Sequence, residues 1–229
     1  TTEQLVQYLT SNNSWWRRNA QRLLMDKKDP QTPALLLKLI DTTKSATAIV
    51  HALWLLEGMH SIDIATLNMQ LHNPVAGVRE NAVKIAELHL KEVPELEKEL
   101  LALQDDADAK VRYQLLCTLG DIHDAQAEAA KQKILMKDID DKWVQVAALA
   151  AAYGNEYAML KNSIAVLSSK PSEGKALFFA NCAGVIGLSQ RIGDIKNVIA
   201  LATTNNTSTS GWWQSACLKG LSTALSAKG

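Results

Sequence analysis

The stretch Val78-Arg79-Glu80-Asn81-Ala82-Val83-Lys84-Ile85-Ala86 returns in outline 33 residues later as Val111-Arg112-Tyr113-Gln114-Leu115-Leu116-Cys117-Thr118-Leu119. Self-similarity at a period of this length marks a repeat architecture. With the first apolar residue of each copy as a marker, matching segments begin at Trp16, Ala48, Val78, Val111 and Val144, near Ala176, and at Trp213; successive offsets are 32, 30, 33, 33, about 32 and about 37 residues. Apolar residues within a copy fall at i, i+4, i+5 and i+8, as in Ala48, Ala52, Leu53 and Leu56, or Trp213, Cys217, Leu218 and Leu221. That spacing draws one stripe along an α-helix, whereas a half-buried strand alternates. Near Ala176, the residues Phe178, Phe179, Cys182 and Val185 admit more than one register.

Each marked helix follows another apolar periodic run: Leu5 to Leu9, Ala34 to Ile40, Ile64 to Leu71, Leu96 to Leu103, Ala125 to Met136, Tyr157 to Leu167, and Ile192 to Ala202. Seven helical hairpins result. Pro33 and Pro94 are expected to open first helices, and Gly58, Gly120, Gly154 and Gly187 to end second helices in the left-handed conformation. Polar turns are expected inside hairpins at Asp41 to Ser45, Asn73-Pro74, Asp105 to Asp108, Asp138 to Asp141 and Pro171 to Gly174, with a longer one at Thr203 to Gly211. One such hairpin cannot bury its apolar face except against the next. The expectation is therefore an all-α fold, an α-α superhelix (a HEAT- or armadillo-like solenoid) of about seven hairpins, forming a single domain over residues 1–229. Its second helices would line one long surface.

The chain has 24 Lys plus Arg and 24 Asp plus Glu, so no overall charge draws it to nucleic acid or an anionic membrane. Apolar residues make up 47% and charged residues 21%, the composition of a folded protein. No run reaches the roughly 18 apolar residues of a transmembrane helix, so direct membrane insertion is not expected. A start at Thr1 and an end at Gly229 just after a helical pattern suggest a domain excised from a larger protein. Cys117, Cys182 and Cys217 form no CxxC pair and are expected as buried thiols rather than metal ligands.

Acidic residues followed by Val-Arg-x-x-apolar-x-x-x-Leu-Gly, carried best by Asp105, Asp106, Val111, Arg112, Leu115, Leu119 and Gly120, resemble the HEAT repeat. In that family the turn Asp and the helix Arg form a ladder between repeats. Asn73-Pro74 replaces the Asp in one copy and Gln145 replaces the Arg in another, so the ladder is expected to be broken here. A narrower resemblance lies in Ser14-Trp15-Trp16-Arg17-Arg18-Asn19-Ala20-Gln21-Arg22-Leu23-Leu24, His51-Ala52-Leu53-Trp54-Leu55-Leu56-Glu57-Gly58-Met59 and Val78-Arg79-Glu80-Asn81-Ala82. These look like the helical-repeat region of large secreted bacterial proteins described as membrane-bound dehydrogenases or haem-binding proteins. There, a propeller resembling quinone-dependent sugar dehydrogenases precedes the repeats and a c-type cytochrome domain follows. The resemblance implies an extracytoplasmic location, and c-type haem and a quinone cofactor in other domains of a parent protein. This chain has no Cys-x-x-Cys-His and no propeller pattern, so no cofactor is expected within it. What remains for it is a spacer or docking role toward flanking domains or another protein.

Trp15, Arg17, Arg18 and Arg22, with Trp16, combine the residue types most enriched at binding hot spots. The competing reading makes Trp16 a core residue and pairs Trp15 with Arg22 as ring and cation. His51, Trp54 and Glu57 share one side of their helix, and Glu80, Asn81 and Glu87 project from the next second helix, so the six are expected to line a polar groove unless they are used for bonds between repeats. Arg79 and Arg112 complete the candidate surface. None of His51, His60, His72, His89 and His123 has metal-ligand spacing, and no nucleophile elbow or phosphate loop occurs, so catalysis is not expected. Two further readings stand beside the spacer: a stand-alone partner- or ligand-binding HEAT protein and, remotely, a HEAT-like DNA glycosylase. Duplex binding requires a basic stripe, whereas here Glu57, Glu80 and Glu87 are interspersed with the arginines.

Overall fold

A computed structural model of the chain describes residues 1–204 and 211–227. Among the described residues there are fourteen α-helices and no strand. They pair as α1 (Thr2–Tyr8) with α2 (Ser14–Lys27), α3 (Thr32–Thr42) with α4 (Ala46–Gly58), α5 (Ile64–Leu71) with α6 (Ala76–His89), and α7 (Leu96–Leu101), extended by a 3-10 turn at Ala102–Asp105, with α8 (Ala109–Thr118). After a 3-10 turn at Leu119–Asp121 come α9 (Ala125–Lys137) with α10 (Lys142–Ala151), α11 (Glu156–Leu167) with α12 (Glu173–Ser189), and α13 (Ile192–Thr204) with α14 (Gly211–Ser226). The expected turn from Thr203 to Gly211 lies mostly outside the described residues.

The chain forms two compact units, Thr1–Thr118 and Leu119–Gly229. In the first, α2, α4, α6 and α8 pack one on the next, while α1 meets α3 and α5 meets α7. Its core is the expected stripe: Ala48, Ala52, Leu53 and Leu56 on α4, Val78, Ala82, Val83 and Ala86 on α6, and Val111, Leu115 and Leu116 on α8 are all fully buried. Full burial of each large aliphatic side chain contributes about 1.5–3 kcal/mol. In the second unit α10, α12 and α14 pack in succession, and so do α9, α11 and α13. There the buried set on α12 is Phe178, Phe179, Cys182, Ala183, Ile186 and Gly187, which places the register marker at Phe178 rather than near Ala176.

Polar residues start several of the helices. Asn13, Ser45, Asp63, Asp124, Asp141 and Ser172 each accept a backbone N–H of the first helical turn, satisfying donors that have no intrahelical partner. The terminating glycines are a correction. Of the four expected, Gly154 alone is left-handed, at φ 90°; the other left-handed positions are Lys28, His60 and Gln190. Gly58 is the last residue of α4, Met59 caps it, and the left-handed residue is His60, two positions beyond the glycine. Gly187 is needed for packing: a Cβ would stand 3.0 Å from the Ala224 Cβ, and at Gly220 one would stand 1.9 Å from the Ala180 oxygen. Backbone thus approaches backbone between α12 and α14, which only residues lacking a side chain permit.

Candidate functional site

The fourth residue of several second helices has a common task. Arg17 donates from Nη1 to the carbonyls of Ser11 (2.7 Å) and Asn12 (3.1 Å), Arg79 to that of Asn73 (2.8 Å), and Arg112 to those of Asp106 (2.6 Å) and Ala107 (3.1 Å). In the second unit Gln145 occupies the same place on α10 and donates to the carbonyl of Ile139 at 2.7 Å. In every case the acceptor lies six residues back, in the turn before the helix, where carbonyls have no helical partner. Sequence reasoning missed this tie, although its signal was present in the long donor directly after the markers Trp16, Val78, Val111 and Val144.

The ladder between hairpins is not wholly broken. Arg79 makes a bidentate pair with Asp106 of the next turn, Nε to Oδ2 and Nη2 to Oδ1, both at 2.7 Å. The side chains are 15% and 5% exposed. Burial alone would raise the Asp106 pKa, yet the Arg79 guanidinium, the Asp108 N–H and the charge of Arg112 hold it below its ordinary value. At Ile49 the corresponding position carries no donor, whereas Gln145 reaches the Gly174 carbonyl of the following turn at 2.9 Å. Arg17, Arg79 and Arg112 are thus bonded to the turns, and Arg112 is only 5% exposed.

The expected polar groove is crossed by bonds between neighbouring second helices. His51 Nδ1 lies 2.7 Å from Gln21 Oε1, Trp54 donates its Nε1 proton to Asn81 Oδ1 at 2.8 Å, and His89 Nε2 lies 2.6 Å from Glu57 Oε2. Thr118 donates to Glu87 at 2.7 Å, and Lys84 pairs with Glu80 along α6. Burial, then the positive charge of Arg17, lowers the His51 pKa and favours its neutral ring. These contacts join α2 to α4, α4 to α6, and α6 to α8.

What stays open is the face of α1 and α2. Trp16, placed in the core by the competing reading, is 45% exposed, as is Tyr8; their rings stack at 5.2 Å. Trp15, 56% exposed, stands edge-on to Trp16 at 4.8 Å. Arg22 pairs with Asp26 at 3.5 Å rather than lying over Trp15, and Arg18 is exposed. Tyr8 was missed because it ends a helix whose other apolar residues point inward. Trp212 and Trp213 do not repeat this arrangement: Trp213 is buried, and Trp212 lies beside Phe179 and donates to the Ser168 carbonyl.

Cys182 and Cys217 are buried, with burial pushing Cys217 up to about 12, but Cys117 is exposed, correcting the expectation for that thiol. Its place on α8 lies beside the apolar stripe rather than on it. Among the described residues no group of His, Cys, Asp and Glu is placed to hold a metal ion, and no helix is long and apolar enough to cross a membrane. No protein-family model matches the chain, and a comparison with curated proteins gives no match.

Proposed function

We propose that this chain is a non-catalytic interaction or spacer module in which the hairpins continue as a HEAT-like superhelix and the α1–α2 face docks a flanking domain or another protein. The observation that carries the proposal is the open cluster of Tyr8, Trp15 and Trp16 beside Arg18 and Arg22. Half-exposed indoles next to guanidiniums offer large contact area at low cost in side-chain entropy, and burying them in an interface removes apolar surface from water. The polar residues of α4, α6 and α8 support the same reading: held by bonds to neighbouring helices, they stiffen the scaffold that presents this face. The resemblance of the Trp15 segment to helical repeats of secreted dehydrogenase-like and haem-binding proteins adds the setting, an extracytoplasmic polypeptide whose other domains hold c-type haem and a quinone.

Two measurements test this. A reduced-minus-oxidised spectrum of the natural full-length polypeptide, with an assay for covalently attached haem, should show c-type bands; a featureless spectrum refutes the redox setting. Protection of Trp15 and Trp16 from oxidative footprinting in that polypeptide, and its loss in Arg18→Glu/Arg22→Glu, is expected for docking. Footprinting equal to that of the isolated chain rejects the α1–α2 face as the contact.

A further inference from the structure

A second feature lies in the other unit and does not depend on the docking reading. Between α9, α10 and α11 is a cavity of about 420 Å³, within the size range of small-molecule sites. Its floor comes from Leu135, Ala148 and Ala151, all buried, and Met159 forms one wall. The alanines open the space; small residues alone would define only a groove.

The polar end gives it a chemistry. Lys131 lines the cavity while being only 6% exposed. Its ammonium donates to the Ile122 carbonyl at 3.0 Å and to Glu128 Oε1 at 2.7 Å. An ammonium has three N–H donors, so one is left without an acceptor among the described residues. Glu128, at the same end, has a second carboxylate oxygen, and Asn162 stands at the mouth. Because the Lys131 and Glu128 charges offset each other, neither a free anion nor a free cation meets a net opposite charge. A neutral group that both accepts and donates can meet the spare N–H and the carboxylate together.

We infer that this cavity binds small neutral amide-bearing molecules with an apolar ring or branched chain. The carbonyl accepts from Lys131, the amide N–H donates to Glu128, and the apolar part rests on the alanine and leucine floor against the adaptable Met159 side chain. Ala158 and Asn162, which line the cavity, are exposed, so a ligand passing between them enters without unfolding a helix.

The test is a methyl NMR titration of the protein labelled at Met, with N-acetyl-phenylalaninamide as the neutral probe and phenylacetate and phenethylammonium as charged comparisons. Saturable shifts confined to Met159 are expected, with a Kd on the order of 1 mM for so small a ligand, and binding of either charged compound at least tenfold weaker. Met25, Met59 and Met69 report on the other unit and should not move. Ala158→Trp places an indole at the mouth from an exposed position and should abolish the shift while leaving the other methyl signals in place. Lys131→Met should remove the preference for the amide over toluene. Non-saturating shifts, equal binding of the charged compounds, unchanged binding in Ala158→Trp or unchanged selectivity in Lys131→Met would overturn the inference.

Discussion

Removing the Asp106 carboxylate should be among the most costly single changes in the first unit. Asp106→Ala leaves the Arg79 guanidinium, 15% exposed, with the Asn73 carbonyl as its remaining partner, and it also removes the acceptor of the Asp108 N–H. Breaking a buried ion pair from one side costs about 3–5 kcal/mol, because a charge is left desolvated and uncompensated. The rung lies in a turn rather than at the centre of the helix stack, so water can reach the orphaned guanidinium, and we expect the lower end, about 3 kcal/mol. Asp106→Asn keeps the shape and one acceptor oxygen but loses the charge, for about 1.5 kcal/mol. Replacing both partners, as Arg79→Met/Asp106→Leu, should restore most of the loss.

The assay is urea unfolding followed at 222 nm, with amide exchange of α5 to α8 to localise the effect to the first unit. The sign of the pH dependence follows from the lowered Asp106 pKa. A depressed carboxylate contributes stability that is fully present above its unfolded pKa of about 3.9 and is lost as pH falls through the lower folded value. The gap between wild type and Asp106→Ala should therefore be constant above about pH 5 and shrink below about pH 4. A gap under about 0.5 kcal/mol at pH 7, or additive losses from Arg79→Ala and Asp106→Ala in a double-mutant cycle, would refute the role given to this rung.

Gly220→Ala should destabilise the second unit by about 3 kcal/mol or more, because its Cβ would lie 1.9 Å from a backbone oxygen; Gly193→Ala on α13, with nothing within 4 Å, should raise the melting temperature slightly. Thiol titration of the native protein should show Cys117 reacting ahead of Cys182 and Cys217, which wait until the fold is lost, although burial raises the Cys117 thiol above its ordinary value; three thiols reacting together would contradict the packing of α12 on α14. Trp54→Phe removes the bond to Asn81 and leaves that half-buried amide short of a donor, for a loss of about 1 kcal/mol in the same unfolding assay.

The helices were legible because a one-sided apolar stripe is a local property, written at i, i+4, i+5 and i+8, and several turns carried capping residues. The 3-10 extension at Ala102–Asp105 and the Phe178 register were harder to read, since two adjacent phenylalanines fit either side of the stripe. What a periodicity cannot tell is which neighbour covers a given face. Trp16 shares its register with Ala48, which is fully buried, yet it is covered only by the Tyr8 ring and neighbouring groups and stays half open. Gly187 reads as a helix terminator until a second helix is seen crossing it. The candidate surface divided along the same line: residues chosen for their chemistry on one helix face were largely taken up by the adjacent helix, leaving Trp15, Arg18 and Arg22 in the open.

The tie from the fourth residue of a second helix ends on backbone carbonyls, and a carbonyl is present whatever side chain the turn carries. Turns as different as Ser11-Asn12, Asn73-Pro74 and Asp106-Ala107 can therefore be closed by the same arginine, and Ile139-Asp140 by a glutamine. The quantity held constant is a distance along the chain, six residues from donor to acceptor, so one inserted residue before α6 should do more harm than rewriting every side chain between Asn73 and Val75. Turns built this way are free to drift in letters while the six-residue span from donor to acceptor stays fixed.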